Sequence, residues 1–268
     1  MFKEKLLLGQ YYPASSPVHR LCAPAKILIT LIYMIALFVA YDWWGWLALA
    51  GVGLLVIALS RVPLAALWRG MKLIVLFAVL TMVLNTLFYP GETLWWSWRS
   101  LRVTAEGLSY GAAMALRLLL LVAVASLLTL TTTPIMLCDG LETLLTPFSR
   151  LGVPAHEIAM MTSIALRFIP TILEEFDRIM LAQRSRGADV GHGNLLQRLA
   201  AFVPLLVPLF VAAFRRAEDL AQAMEAKCYH GAAGRTRWKV AKWQRRDTLA
   251  LSLFLLLLAA AIVGRVLA

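Results

Sequence analysis

The sequence predicts an all-α, polytopic membrane protein with about five transmembrane helices and a cytoplasmic coupling domain of long amphipathic helices. Of 268 residues, 61% are hydrophobic and only 15% are charged, against roughly 45–50% apolar and about 25% charged in soluble domains. The apolar residues gather in runs long enough to cross a hydrocarbon core, which takes about 20 helical residues. The stretch 134–247 instead holds 15 of the 26 Lys and Arg, with apolar residues at helical spacing. The chain thus divides into an N-terminal segment with four spans (1–133), a helical domain (134–247) and a last span (248–268).

The run Ile27–Leu59 is too long for one crossing and fits two, turning at Tyr41–Trp46, where Asp42 and Gly45 suit a reversal and the tryptophans a headgroup boundary. A short connection bearing Arg61, Arg69 and Lys72 leads to a third span from about Leu73 to Tyr89, ended by Pro90 and Gly91. A wet loop to Glu106 follows, then a fourth span from about Leu108 to Leu130. Pro134 after it is suited to begin a helix, not to extend one. The fifth span is Leu249–Val263. The opening residues hold only three consecutive leucines, too few for the 7–15-residue apolar heart of a secretory signal, so the first span is expected to insert uncleaved.

Basic residues in short loops orient the chain. Lys3, Lys5, Arg20 and Lys26 precede the first span, the second loop adds three cations, and Tyr41–Trp46 has none. The N-terminus and 134–247 are therefore expected in the cytoplasm of a bacterial cell, with Arg99 and Arg102 the exceptions outside. Three helices fit 134–247: Pro134 to Ser149; Pro154 to Arg186, closed by Gly187 and kinked at Pro170; and Asn194 to about Tyr229, capped by Gly231. On the second, Ile172, Phe176, Ile179, Met180 and Gln183 share a face while Glu174 faces Arg178. On the third, Phe210, Phe214, Ala217, Ala221 and Met224 share one.

The net charge of +11 admits nucleic acid, anionic lipid or an acidic protein as partner. The basic, aromatic run Arg235–Arg246 stands just ahead of the last span, which favours anionic lipid headgroups over nucleic acid. Cys22, Cys138 and Cys228 form no CxxC pair, so neither a zinc site nor a disulfide frame is indicated. Arg117 lies mid-span, where a lone charge is costly; pairing with Asn85 is expected, with a partner interface as the other use. No metal, catalytic residue or bound cofactor is assigned.

The two long helices end alike. Ala182, Gln183, Arg184, Ser185 and Arg186 run into Gly187, and Met224, Glu225, Ala226, Lys227 and Cys228 run on to Gly231. One cation at a helix C-terminus is ordinary dipole compensation; two such ends suggest a paired device that enters acidic grooves of partners, for which a guanidinium fork is well shaped.

These ends, with the opening segment Gly9–Lys26, resemble the transmembrane T component of energy-coupling factor (ECF) importers over nearly the whole chain. Gly9, Gln10, Tyr11, Pro13, Ser16, His19, Arg20, Leu21, Pro24 and Lys26 carry the opening likeness. Ser185–Arg186–Gly187 is similar to the first Ala-Arg-Gly signature, and Ala226–Lys227–Cys228 to the second, with lysine for the usual arginine and cysteine for the common glycine. Cys22 replaces a usual acidic residue. The resemblance implies docking to two cytoplasmic ABC ATPases, which bind the ATP, and to one substrate-binding S component in the membrane. ATPase closure would draw the tips together and reorient that component for uptake of a vitamin or other micronutrient.

The absence of GxxxxGK[ST] agrees with a non-catalytic subunit. The permease of a conventional ABC importer is an alternative, since Glu225–Gly231 partly matches E-A-A-x-x-x-G, although the residues that should follow are missing. An intramembrane protease of the CAAX-processing type is another, through Glu174, Glu175 and Arg178; the spacing is one residue short, and a solvated ionic face explains the pair. A helical scaffold without ATPase partners is the third.

Overall fold

A computed structural model describes residues 11–40, 43–89, 94–98, 101–151, 154–187, 195–231 and 243–267. The chain forms two compact units, Met1–Leu144 with Val240–Ala268, and Leu145–Lys239.

The first unit holds α1 (Ala23–Val39), α2 (Trp43–Ser60), α3 (Leu64–Phe88), a hairpin of β1 (Leu94–Trp98) and β2 (Leu101–Thr104), α4 (Ala105–Thr131), α5 (Pro134–Leu145) and α8 (Arg245–Leu267). Four of these helices, α2, α3, α4 and α8, are long and apolar enough to cross a membrane. With 17 residues, α1 is apolar but shorter, and its Tyr33, Ala36 and Leu37 are buried against Trp46 and Leu49 of α2, Leu120 of α4 and Phe254 of α8. Outward, α3 exposes Leu73, Leu76, Phe77 and Phe88, and α8 exposes Leu253, Leu256 and Val266. Such a surface suits hydrocarbon, not water. The protein is an all-α polytopic membrane protein, with one short strand pair among the described residues.

The helix boundaries correct the sequence reading at three places. The first reversal is shorter than Tyr41–Trp46, because α2 already includes Trp43, Trp44, Gly45 and Trp46; no proline stops the chain there, and tryptophan serves a headgroup boundary from within a helix. Tyr41 and Asp42 lie outside the described residues. Likewise α3 begins at Leu64 behind Pro63, so Arg69 and Lys72 are helical instead of lying in a connection. The expected loop before Glu106 contains an antiparallel pair, with Trp98 opposite Leu101 and Ser97 opposite Arg102, in keeping with the β-propensity of Trp, Val and Thr.

Small residues set the tightest packing. A Cβ at Gly111 would lie 2.8 Å from the Met82 carbonyl oxygen, and one at Gly107 would lie 3.2 Å from those of Asn85 and Thr86. The spacing Gly107, Gly111, Ala115 is the small-xxx-small pattern that lets apolar helices approach closely, and here it brings α4 against α3. Thr104 caps α4, its Oγ1 accepting from the Gly107 N–H at 3.1 Å.

The opening segment is tied down where α4 ends. The last carbonyls of a helix lack intrahelical donors; here the Tyr12 N–H donates to Leu130 O at 2.9 Å, and Lys26 Nζ to Thr131 O at 2.9 Å. Lys26, 6% exposed, also donates to Thr132 Oγ1 and to His19 O. The His19 Nε2–H donates to Tyr12 O, leaving Nδ1 to accept from Ser16 Oγ at 2.7 Å. Asp247, buried in the first turn of α8, accepts from the Cys22 N–H at 2.9 Å and the Gln244 N–H at 2.7 Å. At Cys22, where the resemblance leads one to expect an acidic side chain, α8 thus supplies the carboxylate. Gly9 and Gln10 of the opening likeness lie outside the described residues.

The first expected coupling helix stops at Leu145 and tightens to a 3-10 turn at Thr146–Leu151. Pro147 cannot donate the N–H that a longer α-helix needs. The second unit is built on α6 (Ala155–Ser185) and α7 (Leu195–Ala226), which continue through Pro170 and through Pro204 and Pro208.

Candidate partner-docking helix ends

Two contacts fix α6 and α7 as an antiparallel pair. Arg216 of α7 sits 6.0 Å over the ring of Phe168 on α6, and Gln183 Nε2 of α6 donates to the Pro204 carbonyl of α7 at 3.4 Å. The second contact has a covalent cause: Pro208 has no N–H, so the carbonyl four residues back loses its helical donor, and Gln183 replaces it. Ile172, Phe176, Ile179, Met180 and Gln183 are all half-buried, as their spacing predicts. On α7 it is Leu205 that is fully buried, whereas Phe210 and Phe214 are 60% and 73% exposed, so the expected apolar face of α7 is an open one.

At the end of α6, Ser185 is the last helical residue and its Oγ donates to Leu181 O at 3.0 Å. Arg186 follows with φ −88°, and its N–H reaches Gln183 O at 3.1 Å. Gly187 is left-handed, φ 84°, with its N–H on Arg184 O at 3.0 Å. A glycine suits this cap because it has no Cβ to strain.

The end of α7 repeats this pattern residue by residue. Ala226 is the last helical residue; the Lys227 N–H reaches Met224 O at 3.2 Å and the Cys228 N–H reaches Glu225 O at 2.8 Å. Cys228 is left-handed, φ 55°. This corrects the expected end near Tyr229 with Gly231 as cap. The chain leaves the helix earlier, at Cys228, and the Tyr229 N–H closes back on Met224 O at 3.0 Å. Gly231 is also left-handed, φ 95°, but three residues farther on.

Ser185, Arg186 and Gly187 thus form one tip, and Ala226, Lys227 and Cys228 another; all six are exposed. Among the supporting residues, Ala182, Arg184 and Glu225 are exposed and Gln183, Met224 and Gly231 half-buried. Among the described residues, Arg186 and Lys227 have no ion-pair partner. Antiparallel pairing sets the two tips at opposite ends: at about 1.5 Å per residue, Lys227 stands some 35 Å along α7 from Pro204, beside which the other tip begins.

Arg117 departs from expectation. Its guanidinium lies 4.7 Å from the Trp46 ring and 5.4 Å from the Phe38 ring, while Asn85 Nδ2 donates to Thr81 O on its own helix. Its Nη1 also donates to Met114 Sδ at 3.7 Å, so two aromatic faces and a thioether hold the cation in place of the expected amide. The ion pair of Arg178 is with Glu175 at 4.0 Å, one helical turn away, and not with Glu174 as expected. Glu174 and Arg178 stand exposed on α6, a solvated face instead of a buried carboxylate pair for proteolysis. Most of Arg235–Arg246 lies outside the described residues.

Residues 14–238 match the family described as cobalt transport protein, CbiQ. The chain is 50% identical to the energy-coupling factor transporter transmembrane protein EcfT of Acidaminococcus fermentans, over 94% of this chain and 95% of that one. It is 51% identical to the protein of that name in Thermanaerovibrio acidaminovorans, over 93% of each. To EcfT 1 of Listeria monocytogenes it is 40% identical over 98% of each. Similarity of this extent runs over nearly the whole chain, so the rival readings as a CAAX-type protease or a conventional permease give way, and the chain belongs to the family of transmembrane T components of energy-coupling factor transporters.

Proposed function

We propose that this chain is the mechanical coupler of an ATP-driven importer, docking one cytoplasmic ABC ATPase subunit at the Arg186 tip and a second at the Lys227 tip. What carries the reading is the matched geometry of the tips: equivalent backbone caps, each presenting an exposed cation, at opposite ends of one helix pair. A single partner would need one such end; two alike, some 35 Å apart, suit two like partners, one at each. ATP binding and hydrolysis reside in those subunits, and this chain binds no cofactor. Closure of the ATPases moves the tips, and α6 and α7 carry that motion to a substrate-binding S component in the membrane, which holds a vitamin or other micronutrient.

The open apolar face of α7, with Phe210 and Phe214, supports contact with a membrane partner. The excess of cations at the N-terminus and in 134–247 supports a cytoplasmic N-terminus in the bacterial cell membrane, and the basic run 235–246 supports contact with anionic headgroups. The test is a mild-detergent pulldown of the tagged chain with identification of what stays bound. Two nucleotide-binding chains and one small membrane protein are expected; recovery of the chain alone, from cells expressing the neighbouring transporter subunits, contradicts the reading.

A further inference from the structure

The first unit contains a cavity of about 550 Å³ among α1, α2, α4 and α8, roofed by the opening segment. Its volume is in the range of small-molecule sites, about 300–1,000 Å³, and its two ends differ in chemistry. Arg20, Lys26, Arg61 and Arg246 line one end, and no Asp or Glu is among the described residues that line it. Tyr33, Gly53 and Phe254 line the other, with Tyr33 edge-on to Phe254 at 6.0 Å and its hydroxyl spent on Leu49 O. Between them the lining is largely aliphatic, as at Ile29, Val56, Val124 and Leu127.

From Arg246 to Phe254 along α8 is about 12 Å at 1.5 Å per residue, close to the half-thickness of a hydrocarbon core about 30 Å across. The cations therefore stand at headgroup level of one leaflet when the aromatic end reaches toward the bilayer centre. Lys26 is already held by Thr131, Thr132 and His19, and the nearby Asp247 carboxylate by two backbone N–H groups. The side chains of Arg20, Arg61 and Arg246 have no hydrogen bond or ion pair among the described residues and are exposed. Arg61 keeps its place at the rim with a left-handed backbone, φ 53°, a conformation unfavourable for a residue with a Cβ.

We infer that this cavity binds an anionic glycerophospholipid of the leaflet on the basic side, its phosphate among Arg20, Arg61 and Arg246 and one acyl chain running toward Tyr33 and Phe254. A free anion would use the rim alone, and a neutral lipid the aliphatic wall alone; the joined features fit a molecule carrying both. The lipid would bridge α1, α2 and α8 at the end where the opening segment is fastened.

The test reconstitutes the full-length chain in vesicles of equal phosphatidylglycerol and phosphatidylcholine, re-extracts it in mild detergent and counts retained lipid by native mass spectrometry. The wild type is expected to retain one phosphatidylglycerol in preference to phosphatidylcholine. Replacing the rim by R20Q, R61Q and R246Q reduces that preference, by about fivefold per cation. Ala250→Phe, which fills the wall from α8, removes the retained lipid of either kind, and Val124→Phe repeats the block from α4 so that misfolding of one variant does not decide the result. Equal retention of the two lipids by the wild type overturns the inference. So does undiminished retention in both wall variants, or displacement of the lipid by millimolar inorganic phosphate.

Discussion

Gly187 and Cys228 occupy the same place on successive helices: each is the second residue beyond its helix, left-handed at φ 84° and 55°, and each follows the exposed cation of its tip. One has no Cβ and the other does, so the second tip holds the geometry of the first under backbone strain. Cys228→Gly is therefore expected to raise stability by about 1 kcal/mol without changing the direction in which Lys227 leaves the helix. Thermal denaturation in detergent measures it. A drop in melting temperature would show that the thiol contributes more than the strained backbone costs.

The bond from Gln183 to the Pro204 carbonyl is predicted to exist because Pro208 lacks a donor. Gln183→Ala should cost about 0.5–1.5 kcal/mol, and the cost should vanish in a Pro208→Ala background, where the helix supplies its own N–H. A double-mutant cycle on unfolding of α6 and α7 reads the coupling. Additive effects would contradict this account of why the pair is registered as it is.

At Gly111, a methyl group would press on the Met82 carbonyl, which belongs to backbone and cannot turn aside. Gly111→Ala is expected to destabilise the α3 and α4 packing by about 1–3 kcal/mol, whereas Gly51→Ala, with nothing within 4 Å of its added carbon, should not. Resistance to denaturant in detergent compares the two.

His19 gives the first unit a pH dependence. Burial lowers its pKa from the ordinary 6.5, Lys26 adds to that, and the Tyr12 carbonyl opposes it. The folded chain therefore prefers the neutral ring. As pH falls below about 6.5, the unfolded chain takes up a proton that the folded chain resists, so stability is lost toward acid. Melting temperatures between pH 7.5 and 5 should decline less steeply in His19→Gln than in the wild type, and parallel curves would refute the assignment.

Much of this was legible in the residues. Spans four and five follow from long apolar runs, the fourth despite Arg117 within it, and the end of α6 follows from Arg186 with Gly187 behind it, whereas α7 ends earlier than the Tyr229 that Gly231 suggests, because a left-handed Cys228 carries no glycine signal. The starts of α2 and α3 were hidden because Trp43–Trp46 are as acceptable in a first helical turn as in a loop, and Arg69 and Lys72 are as acceptable on a helix as in a connection. Two signals were present but unread: Gly107 and Gly111 at small-xxx-small spacing, and the alternation of Leu94–Trp98 with Leu101–Thr104. Arg117 went to aromatic rings because Phe38 and Trp46 of other helices converge on it, and only tertiary structure shows that. The same holds for Lys26, whose partners Thr131 and Thr132 lie more than a hundred positions away.

Arg186 and Lys227 bear the central claim, and reversing their charge tests it most directly. Co-purification of both ATPase subunits, with uptake measured in the same cells, should fall steeply for Arg186→Ala, since losing one member of a buried charged pair costs about 2–5 kcal/mol. Lys227→Glu should behave likewise, while Lys227→Arg is tolerated. Wild-type retention of both ATPases and normal uptake in an R186E and K227E double variant would contradict docking at these tips.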